Sequence, residues 1–91
     1  MRFGLIYGMK TGNEPPEETL KKLGARIRTL RILKGYQNYE KFAYEHDISR
    51  SQLWRYENGE DLKFSSLLKI IKALGMSPAE FFSEGFDQSV K

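Results

Sequence analysis

Ser49-Arg50-Ser51-Gln52-Leu53-Trp54-Arg55-Tyr56-Glu57-Asn58-Gly59 is the stretch around which the rest of this chain can be arranged. Its first residue is a helix start. The Ser49 hydroxyl can accept from the Gln52 backbone N–H, and the Gln52 side chain can reach back to the Ser49 N–H. Its last two residues, Asn58-Gly59, suit a left-handed helix stop. Between them lie about two turns of helix. At about 100° per residue, Leu53, Tyr56 and Glu57 share one side, while Ser51 and Arg55 point the opposite way. Arg50 sits in the first turn, able to reach past the helix end, and Gln52 and Trp54 flank the outward side. An apolar back with a front of Arg, Ser, Gln and Arg presents hydrogen-bond donors. A solvated surface helix has the same composition, so the neighbouring elements decide between the two.

Upstream, Asn38 is a sound N-cap for a helix that carries Phe42 and Ala43 inward and runs to about His46. Asp47 then occupies a tight stop where glycine is easiest, a geometry that Asp tolerates better than most residues. Only His46-Asp47-Ile48-Ser49 separates the two helices, with Ile48 as a buried turn residue. So short a turn makes them cross steeply and leaves the second helix protruding. In a helix-turn-helix, that second helix enters the DNA major groove with its first residues against base edges.

The remaining segments supply the core. A first helix is predicted from about 17 to 34, entered through Glu14-Pro15-Pro16-Glu17-Glu18 and ended by Gly35. Leu20, Leu23, Ile27 and Leu30 line one face of it, and Ile32 projects the other way. A fourth helix over 64–74 carries Leu67, Leu68, Ile70, Ile71 and Leu74, starts without a good cap, and stops at Gly75. Ser77-Pro78-Ala79-Glu80 is a capping box that launches a short fifth helix holding Phe81 and Phe82. One phenylalanine is expected to close the core and the other, with Phe86, to form a subunit contact. The expected core is Leu23, Ile27, Leu30, Phe42, Ala43, Ile48, Leu53, Tyr56, Leu67, Ile71 and Leu74. The chain thus divides into a partly flexible arm (1–16), an all-α domain (17–84) and a frayed tail (85–91).

The formal charge of +3 is modest, but residues 20–56 hold nine Lys/Arg against three acids, with acidic segments on both sides. A basic middle with acidic flanks points to a polyanion-facing surface. The chain has no cysteine, so no disulfide framework or thiolate zinc site is available. No apolar run approaches a membrane span, and the composition is that of a cytoplasmic protein. The single histidine, His46, has no carboxylate cluster at metal-ligand spacing and reads as a packing residue. Nothing resembles a nucleophile with its base, a phosphate-cradling glycine loop or an acid pair, so no enzyme activity, cofactor or small-molecule ligand is indicated.

Residues 23–76 resemble the phage-repressor/Cro-like (XRE-type) helix-turn-helix family. The matching residues are Leu23-Gly24, Ile27-Arg28, Leu30-Arg31, Lys34-Gly35, Phe42-Ala43 and Ile48-Ser49-Arg50-Ser51, followed by Glu57-Asn58-Gly59 and the run from Leu67 to Gly75. The resemblance implies a compact five-helix bundle of the lambda-repressor-like type. It implies a sequence-specific transcriptional regulator, a repressor, working as a homodimer on a palindromic double-stranded DNA operator. By the same resemblance, Arg50, Ser51 and Arg55 read bases, while Tyr39, Asn58 and Lys63 contact the DNA backbone. Arg31 and Glu57 form a structural ion pair, which the inward angle of Glu57 also favours.

Tyr39 stands where the family commonly has glutamine, and Glu60-Asp61 stands where cations are common and would repel a phosphate. Gln52 and Trp54 are further candidates for DNA or partner contact. Trp54 has three open roles: packing on the adjacent loop, meeting the sugar-phosphate edge or a thymine methyl, or lying in a partner interface. The alternative function is a protein-interaction module of the same fold, such as an antitoxin or adaptor.

Overall fold

The computed structural model describes residues 14–87, so the arm over 1–13 and the end of the tail, 88–91, lie outside the described residues. The described residues form five helices and no strand: α1 (Pro16–Leu33), α2 (Tyr39–Glu45), α3 (Arg50–Glu57), α4 (Phe64–Ala73) and α5 (Pro78–Phe81). The described residues are all-α, as their periodicities and caps predict. α1 starts at Pro16, within the stretch assigned to the arm. Pro16 lacks the N–H that would go unbonded in a first turn, and Glu17 and Glu18 favour the positive end of the helix dipole.

Asn38 accepts from the Glu40 N–H, Ser49 from Gln52 and Ser77 from Glu80, the last completed as a capping box by the Glu80 side chain. Each cap satisfies a backbone donor that its helix would otherwise leave unpaired. Asp47 has φ 57°, the one non-glycine residue at positive φ among those described. That single left-handed residue turns the chain from α2 into α3. The turn is also tied to α4, because Lys69 Nζ donates to the Asp47 carbonyl at 2.6 Å.

Leu23 and Ile27 of α1, Phe42 and Ala43 of α2 and Leu53 of α3 meet the stripe Leu67, Ile70, Ile71 and Leu74, and Phe81 closes the end. Three expected core residues, Leu30, Ile48 and Tyr56, are only half-buried and pack on the outside of this cluster. Arg31 takes the inward position at the end of α1, Ile48 lies in the turn, and Tyr56 lies at the open end of α3. Ile70 and Phe81 stand fully inside in their place. Phe82 stays exposed and Phe86 packs against both phenylalanines.

Gly24 fixes how α3 sits on α1. A Cβ at this position would lie 2.5 Å from the Tyr56 carbonyl oxygen and 2.6 Å from that of Glu57. Only a residue without a side chain lets the end of α3 approach the middle of α1 this closely. Arg26, half a turn away, donates from Nε to the Phe81 carbonyl at 2.8 Å and from Nη2 to the Glu80 carbonyl at 3.0 Å. It therefore holds the last carbonyls of the short α5 against α1.

Candidate nucleic-acid interface

α3 is fastened at both ends and by its back. Its N-terminus is capped by the Ser49 hydroxyl, which lies 3.3 Å from the Gln52 nitrogen and shares a 3.2 Å hydrogen bond with Ser51. At its C-terminus the Asn58 side-chain amide donates to the Trp54 carbonyl at 2.7 Å. Between these, Leu53 is fully buried, an anchor whose burial contributes about 1.5–3 kcal/mol.

A buried ion pair sets the angle of the helix end. Arg31 and Glu57 have side chains only 4% and 7% exposed. Arg31 Nε donates to Glu57 Oε2 at 2.8 Å and Nη2 donates to Oε1 at 2.9 Å, a two-point planar match. Its Nη1 donates to the carbonyls of Tyr36 and Gln37 at 2.6 and 3.0 Å. One guanidinium thus joins α1, the α1–α2 connection and the end of α3. Geometry this complete is what a buried charge pair needs to offset its loss of hydration.

The outward face is open. Arg50 has a side chain 71% exposed, and its Nη1 donates to Glu40 Oε2 on α2 at 2.8 Å. Arg55 Nε lies 3.5 Å from Glu60 Oε1. Arg50, Ser51, Trp54 and Arg55 of α3 and Tyr39 and Glu40 of α2 line a shallow cleft of about 340 Å³. A second cleft, of about 270 Å³, is lined by Arg28, Arg31, Gln37, Tyr39, Trp54, Glu57 and Asn58. Tyr39 and Trp54, the latter 51% exposed, border both clefts.

The structure therefore brings Tyr39, Arg50, Ser51, Trp54 and Arg55 together, and sets Asn58 beside the Arg31–Glu57 pair. Gln52 lies apart, in a small hollow with Ser66 and Lys69, and exposed Lys63 lines neither cleft. Sequence reasoning missed Arg28, whose position one helical turn before Arg31 was an available signal. It also missed that Glu40 and Glu60 meet the two outward arginines. The expected repulsion from Glu60 is tempered, because Arg55 lies against its carboxylate.

His46 packs on Phe42 and Tyr36, with ring centroids 4.6 and 6.0 Å away, and its buried Nε2 has no hydrogen-bond partner among the described residues. The Tyr36 hydroxyl donates to Glu45 at 2.5 Å, and that bond to a carboxylate raises the phenol above its ordinary pKa. Among the described residues no cluster of His, Cys, Asp or Glu is placed to hold a metal ion, and no helix is long and apolar enough to cross a membrane.

A capped and exposed α3, set against α2 by a four-residue turn and backed by α1, defines a helix-turn-helix DNA-binding domain. Residues 26–83 match the model of the Cro/C1-type HTH DNA-binding domain. Control protein C.BamHI of Bacillus amyloliquefaciens is 33% identical over 58 residues, a match covering 63% of this chain and 72% of that protein. The chain belongs to the Cro/C1-type helix-turn-helix family, a family of DNA-binding transcriptional regulators and not of enzymes. No solved structure matches it significantly.

Proposed function

We propose that residues 17–84 read a palindromic operator as a homodimer in the cytoplasm, repressing transcription by occupying the site. The observation that carries this reading is the convergence of Arg50, Ser51 and Arg55 on one open cleft of the capped α3. Arg50 and Arg55 each suit the paired acceptors O6 and N7 of guanine, and Ser51 supplies a shorter, less selective contact between them. Tyr39 and Asn58 line one cleft with Trp54, where the sugar-phosphate backbone would pass, and Lys63 adds a further positive charge. Trp54 meets the groove edge, and Gln52 is left for an outer contact. Exposed Phe82, with Phe64 and Leu68 of α4, offers apolar surface for the second subunit. Palindromic sites mirror a two-fold protein.

Titrating a labelled operator duplex at 50 and 200 mM salt tests the reading. A protein neutralising several phosphates should lose about 10²–10³-fold in affinity over that range. Binding that is flat with salt would instead favour a protein partner for the same face. Sedimentation should show two chains per duplex, and one chain per duplex would remove the dimer.

A further inference from the structure

Two carboxylates stand on the face that the operator would meet, Glu40 beside Arg50 and Glu60 beside Arg55. Negative charge facing a polyanion weakens binding wherever it is not neutralised. The Glu40 contact is the closer of the two, a 2.8 Å hydrogen bond that bridges α2 and α3 across the turn. Glu40 springs from a fixed base, since its own N–H is held by the Asn38 cap at 2.7 Å. Arg50 Nη1 makes the guanidinium's one hydrogen bond among the described residues. A guanidinium carries its donors in a rigid fork, so gripping it at Nη1 leaves the edge bearing Nε and Nη2 open. That open edge has the spacing for guanine O6 and N7.

We propose that Glu40 is a positioning residue for Arg50, gripping the guanidinium from α2 so that its free edge meets guanine in an already ordered side chain. The inference rests on Arg50 being a base reader. Its physical consequence is a gain in discrimination at the expense of overall affinity. An arginine ordered beforehand loses less freedom when it meets the correct base, while at a wrong base no such loss arises. The grip also keeps Arg50 from swinging to a phosphate, which would strengthen binding to every sequence alike. An exposed pair of this kind contributes little to folding, so the protein can be tested without unfolding it.

The test uses the full chain, the duplex it selects from a random DNA pool, and a second duplex altered at the base pair where Arg50→Ala relaxes the preference. Dissociation constants are measured for the parent, Glu40→Gln, Arg50→Ala and the double variant, with melting temperature as a control. Glu40→Gln should lower the ratio between the two duplexes by about two- to twelve-fold, the penalty for ordering one long side chain. It should leave the melting temperature unchanged and have no further effect on the ratio in the Arg50→Ala background. If Glu40→Gln tightens both duplexes equally and keeps the ratio, Glu40 is only a repelling charge and the proposal is overturned. If it lowers the ratio even without Arg50, Glu40 touches the base itself, which also overturns it. If Arg50→Ala relaxes no position at all, the base-reading assignment fails first, and that outcome is distinct from the other two.

Discussion

Replacing Arg31 by alanine should destabilise the protein severely without removing any side chain of the cleft lined by Arg50, Ser51 and Arg55. The side chain is 4% exposed and makes two hydrogen bonds to Glu57 and two to the carbonyls of Tyr36 and Gln37. Its removal leaves a carboxylate 7% exposed with no cation opposite it. Breaking one side of a buried pair costs about 3–5 kcal/mol. A domain of this size is stable by about 5–10 kcal/mol, so the variant keeps only about 0–7 kcal/mol of that margin. Urea denaturation followed by helical circular dichroism should show the midpoint falling with the slope unchanged. Thermal melting should drop by more than about 10 °C. Arg31→Met combined with Glu57→Leu should recover most of the loss, because apolar residues of similar size leave no charge stranded. An Arg31→Ala protein within about 1 kcal/mol of the parent would refute the structural role, since a surface pair contributes no more than that.

Gly24→Ala should destabilise by about 1–3 kcal/mol despite alanine's better helix propensity, because its Cβ would press on backbone oxygens at 2.5 and 2.6 Å; a raised urea midpoint would contradict this. Leu53→Ala should cost about 2–5 kcal/mol in the same assay, as a fully buried leucine does. Arg26→Ala should release the end of α5, seen as lost hydrogen-exchange protection over residues 78–82 with protection in α2 and α3 retained. Arg55→Ala should reduce discrimination at one base position by about 1–3 kcal/mol while leaving the melting temperature nearly unchanged.

Features set by residues a few positions apart were legible in the sequence. Asn38, Ser49 and Ser77 cap their own helices, Asp47 takes the left-handed turn, and the spacing of Leu23 and Ile27 defines an inward face. Each depends on chemistry within a turn or so of chain. What depended on distant segments was harder to read. Leu30 and Ile70 have equal claim to burial by periodicity, and only the docking of α1 on α3 and α4 separates them. Phe81 and Phe82 are adjacent and alike, and only the packing of α5 against the bundle buries the first and leaves the second exposed. Gly24 was visible as part of a family pattern, but its close approach to the Tyr56 and Glu57 carbonyls exists only once the helices are packed. In the candidate site, the angular reading put Ser51 and Arg55 outward and Glu57 inward. The partner of Arg50 was illegible because Glu40 lies ten positions away, on a different helix. Arg28 faces the Trp54 cleft for the same reason of packing.

The central claim is that the outward face of α3 reads a DNA sequence, and selection from a random pool of duplexes tests it most directly. The parent protein should enrich one two-fold symmetric motif containing guanines, and Arg50→Ala should enrich a motif with the preference lost at one position in each half. No enrichment by a folded parent, or an identical motif from Arg50→Ala, would contradict the account.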